Sequence, residues 1–178
     1  MKNKIYAGIG SRETPDAILE VMTSIGYNLA QKGWGLRSGH APGADQAFEA
    51  GCIRAEGLME IYLPWKGFEK APTMHPAYTV PKFDSFMMEL AAKHHPAWDR
   101  CKEGARKLHA RNVCQIFGRN PQSPLMTQMV IAWTPGAKGG GGTGQAIRMA
   151  KSYGIPCFDL ADTAQWDSLA QFVENFNK

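Results

Sequence analysis

Short apolar runs alternate along the chain with stretches in which apolar residues recur every three or four positions. Lys4-Ile5-Tyr6-Ala7-Gly8-Ile9-Gly10 is a brief apolar run ending in glycine, the pattern of a buried strand. Thr14-Pro15 follows, a capping hydroxyl and a proline preorganised for a first helical turn. Ile18, Met22, Ile25 and Leu29 then mark one helical face, and Gly33 ends it. Trp34-Gly35-Leu36-Arg37-Ser38-Gly39 predicts a second strand, residues 44–55 a small-residue helix, and Glu60-Ile61-Tyr62-Leu63-Pro64-Trp65 a third strand. The links are short, so this β-α-β-α-β order predicts a parallel sheet with right-handed crossovers.

The regularity then breaks. Residues 66–81 hold Pro72, Pro76 and Pro81 among aromatics, which predicts an excursion, either a lid or a surface loop, too irregular for a core element. Helices are expected near 85–93 and over 98–117, a strand at Met129-Val130-Ile131-Ala132-Trp133-Thr134, and a helix over 143–153. A strand at Pro156-Cys157-Phe158-Asp159-Leu160 and a terminal helix over 166–176 complete the series. The expectation is one α/β domain over 1–178, a Rossmann-like three-layer fold with a mainly parallel sheet of about five strands.

Composition narrows the class without changing this picture. With 44% hydrophobic and 20% charged residues the chain is that of a globular protein rather than a disordered one. No apolar run approaches the roughly 18–20 residues that span a bilayer. Met1-Lys2-Asn3-Lys4 leads into too short an apolar run for a leader, so a cytoplasmic, membrane-free protein is expected. The net charge of +4 suits a phosphate-bearing ligand and equally a mildly basic solvated surface. Cys52, Cys101, Cys114 and Cys157 lie far apart with no CxxC spacing, and the adjacent pair His94-His95 is a poor chelate; the expectation is reduced thiols, no metal and no cofactor.

Candidate chemistry gathers at strand ends, where open parallel sheets bind ligands. Gly8-Ile9-Gly10-Ser11-Arg12-Glu13 begins like GxGxxG but has Glu13 at the third glycine, and the second strand ends in Arg37-Ser38 rather than in an acid for a ribose diol. Both features argue against a conventional dinucleotide dehydrogenase. Gly139-Gly140-Gly141-Gly142-Thr143 stands between a predicted strand and a predicted helix, where backbone amides and the helix dipole converge on an anion. Thr143 either caps the helix or touches that anion, and no lysine precedes it as in a Walker loop. A second glycine loop runs through Arg37-Ser38-Gly39-His40 to Asp45 at a helix start, with Glu49 one turn on. Asp45 is either a capping carboxylate or a group beside a ribose. Trp65 and Trp133, at strand ends, are either core rim or stacking partners for a base.

On these residues the chain resembles the SLOG superfamily, which joins the DNA-processing protein A (DprA) family, the Lonely-guy nucleotide phosphoribohydrolases and related nucleotide sensors. The resemblance runs from about residue 4 to residue 160. It rests on Ile9-Gly10-Ser11-Arg12, Arg37-Ser38-Gly39 with Gly43-Ala44-Asp45, Arg111-Asn112, and the glycine loop at 139–143. It looks most like compact phage and bacterial DprA-like proteins. The resemblance implies a nucleotide-sized cleft, with Gly10, Ser11, Arg12, Arg37, Ser38, Gly39, Arg111, Asn112, Gly140, Gly141, Gly142, Thr143 and Gln145 among its ligand-binding residues. Lonely-guy enzymes carry a glutamate three residues after the loop threonine; here that place is Ala146, beside Gln145. A glycosidase would therefore need Asp45 or Glu49 instead. DprA recombination mediators carry further domains for which this chain has no room.

The expected function is binding of a nucleoside phosphate or ADP-ribose type of molecule, for sensing or sequestration, with N-glycosidic cleavage as its catalytic variant. The alternative is a DprA-like module for single-stranded DNA, with arginines tracking phosphates and aromatics stacking on bases. A purely structural role and homo-oligomer formation stay open.

Overall fold

Strand residues point alternately to the two faces of a sheet, and the buried positions divide accordingly. Tyr6, Leu36, Ile61, Met129 and Ile131 enter one core, and Ala7, Ile9, Tyr62, Val130 and Ala132 the other. A computed structural model describes residues 4–176; the expectation of no leader at Met1-Lys2-Asn3 falls outside them. The elements are β1 (Ile5–Gly8), α1 (Asp16–Gln31), β2 (Gly35–Ser38), α2 (Ala44–Arg54), β3 (Met59–Tyr62) and β4 (Tyr78–Thr79). The second half supplies α3 (Ser85–Lys93), α4 (Glu103–Phe117), β5 (Met129–Ala132), α5 (Gly141–Ser152), β6 (Cys157–Asp159) and α6 (Ala164–Phe176).

Among the described residues the strands form one all-parallel sheet in the order β4-β3-β2-β1-β5-β6. Met22 and Leu29 of α1, Phe48 of α2 and Leu169 of α6 cover one face. Met87 of α3, Val113 and Ile116 of α4 and Met149 of α5 cover the other. This is a three-layer Rossmann-like α/β fold. No helix among the described residues is long and apolar enough to cross a membrane.

Four local expectations are corrected. Among the described residues the sheet has six strands, not about five, because the proline-rich excursion ends in β4, where the carbonyls of Thr79 and of Ala77 just before it accept the N–H groups of Leu63 and Ile61. The excursion also contributes Phe68 and Ala71 to the core, so only its middle is irregular. The helix expected over 98–117 is a single 3-10 turn at Trp98–Arg100 followed by α4, with Cys101 and Lys102 extended between them. Neither threonine is a cap: Thr14 instead donates to the Ser11 carbonyl at 2.7 Å, leaving Pro15 as the cap of α1, and α5 starts two residues before Thr143 with Gly140 as its cap.

The strand order has one functional consequence. The chain builds outward from β1 through β2, β3 and β4, then returns to place β5 on the other side of β1. The connections leaving the carboxyl ends of β1 and β5 therefore diverge to opposite faces, opening a crevice between them.

Candidate functional site

The crevice is a cavity of about 520 Å³, within the range of small-molecule sites. One wall is the turn after β1, Gly10-Ser11-Arg12. It extends the pairing of β1 with β5, since Ile9 N–H donates to Ile131 (3.1 Å) and Ser11 N–H to Trp133 (3.0 Å). Gly10 is required there: a Cβ would stand 2.5 Å from that of Ala44 and 3.3 Å from the Trp133 backbone. Ser11 Oγ accepts the Glu13 N–H at 3.0 Å, which shapes the turn. Arg12, half exposed at the rim, pairs with Glu69 of the excursion at 3.4 Å.

The facing wall is the glycine loop and the first turn of α5, contributed by Gly140, Gly141, Gly142 and Thr143. Three tethers fix it. Gly139 N–H donates to Thr134 Oγ1 (2.9 Å), and Thr134 in turn donates its hydroxyl and its N–H to Asp159 at the end of β6. Asn112 Nδ2 donates to the Gly142 carbonyl (3.3 Å) and to Gln145 Oε1 (3.0 Å), while Gln145 Nε2 donates to Ala91 (2.8 Å). Finally the Gly139 carbonyl folds back so closely on Gly144 that a Cβ there would overlap it. The loop is thus preorganised, with left-handed backbone at Gly139 and Gly141 and the amide end of α5 beside the cavity.

The floor holds two buried groups of opposite charge, Asp45 and Arg111, each hydrogen-bonded to other partners. Asp45 lies in the first turn of α2 and accepts the Ala41 N–H at 3.2 Å. Burial pushes its carboxyl above the ordinary range, against the opposing pull of Arg111 and of the backbone amides of Ala41, Gly10 and Gly39. Arg111 of α4 donates to the carbonyls of Gly39 and Tyr62 (3.0 Å to the latter), and its Nε to Asn112 Oδ1 (3.0 Å). Its guanidinium lies 5.7 Å from the Phe68 ring centroid, which brings the excursion under the same site. Burial lowers the Arg111 pKa, again opposed by its partner Asp45. A floor with both charges in place presents polarity without net charge, and at the rim Arg12 is paired with Glu69.

The structure therefore brings Gly10, Ser11, Arg12, Asp45, Arg111, Asn112, Gly140, Gly141, Gly142 and Thr143 around one cavity, and it places the other candidates elsewhere. Arg37 faces away from the cavity beneath the 118–127 segment. It pairs with Glu60 (2.7 Å) and donates to the Leu125 carbonyl (2.5 Å), because strand alternation sends it to the α4 side of β2. Ser38 Oγ donates to the Gly8 carbonyl at 2.6 Å, holding β2 to β1, and Gly39 serves through its carbonyl. Glu49 is one helical turn below Asp45, where His40 Nδ1 lies 2.7 Å from each carboxylate oxygen and Tyr78 Oη donates at 3.3 Å. Gln145 sits behind the glycine loop. Trp133 packs into the core with its backbone bracketing Gly10, and Trp65 stacks edge-on against Phe68 (5.3 Å) beside Gly104.

Besides Ile9, Ala41 and Ala146, four wall residues on α4 escaped the sequence pattern: Ala105, Leu108, His109 and Gln115. Spacing of three or four around Arg111-Asn112 was their available signal. The direction from which α4 crosses the sheet, which decides that this face meets the crevice, is not written locally.

Fold and site together define a Rossmann-like α/β protein with a cleft at its topological switch point. No family model matches the chain, and no curated protein matches it. Among solved structures, the molybdenum cofactor binding protein from the phototrophic bacterium Rippkaea orientalis is similar in fold, with a TM-score of 0.56 and 18% identity over 98% of this chain and 87% of that one. The structural-genomics target TM1055 is also similar, with a TM-score of 0.49 and 18% identity over 91% of this chain and 79% of that one.

Proposed function

We propose that the cleft binds a nucleotide or nucleotide-derived small molecule through its phosphate, for sensing or sequestration. The supporting observation is the tethered glycine loop, which places the amide end of α5 at a cavity of nucleotide size across from Gly10-Ser11-Arg12. The Asp45–Arg111 floor supplies an acceptor and a donor for sugar hydroxyls or a base edge. A small-molecule ligand also accords with the similar fold described as a molybdenum cofactor binding protein, and with the resemblance of the motifs to the SLOG superfamily. A concave cavity of about 520 Å³ favours a small-molecule ligand over the extended groove that tracks single-stranded DNA.

Binding without cleavage is the form we favour. Ala146 lines the cavity where a Lonely-guy enzyme would carry its acid, and Glu49 is committed to His40 and Tyr78 outside it. Calorimetric titration with nucleoside monophosphates and ADP-ribose derivatives tests the proposal, with one site per chain expected. Gly142 has ordinary space around it, the nearest atom to an added Cβ being in His109 at 3.6 Å. Gly142→Val should therefore weaken binding at least tenfold with a nearly unchanged melting temperature, because the side chain crowds the phosphate and not the core. Equal affinity in the variant would sink the assignment.

A further inference from the structure

His95, Cys101 and His109 are separated by five and seven residues and come from different segments. His95 follows α3, Cys101 lies in the extended link before α4, and His109 is on α4. The break at Cys101-Lys102, which divides the helix expected from sequence, folds the chain so that one donor atom of each residue lies within 4.8 Å of the others. Cys101 Sγ is 3.9 Å from His95 Nδ1 and 3.8 Å from Nε2, and the two imidazole centroids are 4.2 Å apart. Around a tetrahedral zinc with bonds of about 2.3 Å to sulfur and about 2.0–2.1 Å to nitrogen, sulfur and nitrogen stand roughly 3.6 Å apart. The Cys101–His95 separation is thus within a few tenths of an ångström of that spacing, and the donor of His109, within 4.8 Å of both, must draw in to complete the set.

Other features fit the same chemistry. His109 Nδ1 is buried with no hydrogen-bond partner among the described residues. Burial lowers the pKa of both His95 and His109, against the opposing pull of Gln145 at His109, which is the direction that favours the neutral form a metal ligand needs. Among the described residues Cys52, Cys114 and Cys157 belong to no comparable group of metal-ligating side chains, and burial pushes their thiols up to about 11, about 12 and about 11. Coordination through His95 Nδ1 exchanges the Ala97 N–H bond (3.1 Å) for a metal bond, and coordination through Nε2 puts the proton on Nδ1 and gives up the same bond.

From these residues we infer a divalent-metal site of the zinc class, held by His95, Cys101 and His109 at the edge of the ligand cleft. A set of one thiolate and two imidazoles suits zinc, and three protein donors are the number used where the metal keeps a position for water or substrate. His109 belongs at once to the metal set and to the cavity wall beside Gly142, so the remaining position is available to an oxygen donor from the cleft. The inference stands on the side chains alone and does not rest on the nucleotide reading.

Cobalt(II) titration of the intact protein tests it, with the metal alone as probe. One equivalent should give tetrahedral d–d bands and a thiolate-to-cobalt charge-transfer band, and zinc should displace it. Cys101→Ser, nearly isosteric and checked for folding by circular dichroism, should lose the charge-transfer band. Its zinc affinity should fall by more than about 100-fold, beyond the 10–100-fold typical of losing an outer-sphere partner. His95→Ala should lose comparable affinity, and Cys157→Ser should change nothing. Inorganic phosphate added to the cobalt protein should shift the d–d bands through the open position. Absence of a stoichiometric thiolate band, or a band that survives Cys101→Ser, overturns the site; d–d bands indifferent to phosphate overturn its open position.

Discussion

Two buried arginines show how position decides what a charged residue does. Arg111 reaches the cleft floor and shares its field with Asp45, so replacing it should damage binding and stability together. Arg37 serves the far side of β2, tying Glu60 and the Leu125 carbonyl. Arg37→Met keeps the volume but leaves that carbonyl without its donor, a loss of about 1–3 kcal/mol in stability with no change in ligand affinity; urea unfolding and calorimetry measure the two separately. Glu60 adds a pH signature. Burial tends to raise its pKa, but the Tyr62 hydroxyl and Arg37 outweigh that and hold it below 4.5. A carboxylate depressed in the folded state stabilises above its unfolded pKa, and the contribution disappears as pH falls through the folded value. The stability gap between wild type and Arg37→Met should therefore narrow as the pH drops below about 4.5. A gap constant down to pH 2 would show that Glu60 is not part of it.

At the scale of elements, the glycine loop and the proline-rich excursion behave oppositely. The loop looks flexible in composition, yet Thr134, Asn112 and the close passage at Gly144 pin it. The excursion is anchored at both ends, by Phe68 in the core and by β4 on the sheet edge, and its middle crosses the surface with Met74 exposed. Hydrogen exchange should follow these anchors: amides between Glu69 and His75 should exchange faster than those of β5, while Ile61 and Leu63 stay protected by β4. Exchange in the middle of the excursion as slow as in β5 would rule out a lid at the rim where Glu69 meets Arg12. Within α2, Glu49→Gln should leave ligand affinity within twofold, because its partners His40 and Tyr78 lie outside the cavity.

For the molecule as a whole, the sheet order sets which loops meet, and the cleft between β1 and β5 is its consequence. An enclosed ligand exchanges few counterions, so affinity for a nucleoside phosphate should respond weakly to salt. A DNA-binding groove would lose affinity steeply with ionic strength, with a slope proportional to the phosphates contacted. Titrations between 50 and 200 mM salt, roughly the range over which such losses develop, separate the two readings. Wild-type protein should release no free base from nucleoside monophosphates or ADP-ribose derivatives. Release that falls about 10²–10⁴-fold in Asp45→Asn would instead make Asp45, the one candidate carboxylate at the cavity, a general acid or base.

Local sequence was sufficient wherever one segment determines its own structure. Apolar periodicity marked β1, α1, β2, α2, β3 and β5, because a buried strand or helix face must repeat at 2 or 3.6 residues regardless of its neighbours. The strand-loop-helix context of 139–143 was likewise local, since an unpartnered helix start follows from chain order alone. Tertiary structure decided the rest. The side of the sheet that α4 crosses put Arg111, Asn112 and His109 on the cleft, while the packing of α2 turned Glu49 to His40 and Tyr78 and strand alternation tied Arg37 to Glu60 and Leu125 beneath α4, away from the cavity. The extended link at Cys101-Lys102 joined His95, Cys101 and His109, whose separations carry no ligand signature. Such meetings depend on packing between segments distant along the chain, a property that spacing and composition do not encode.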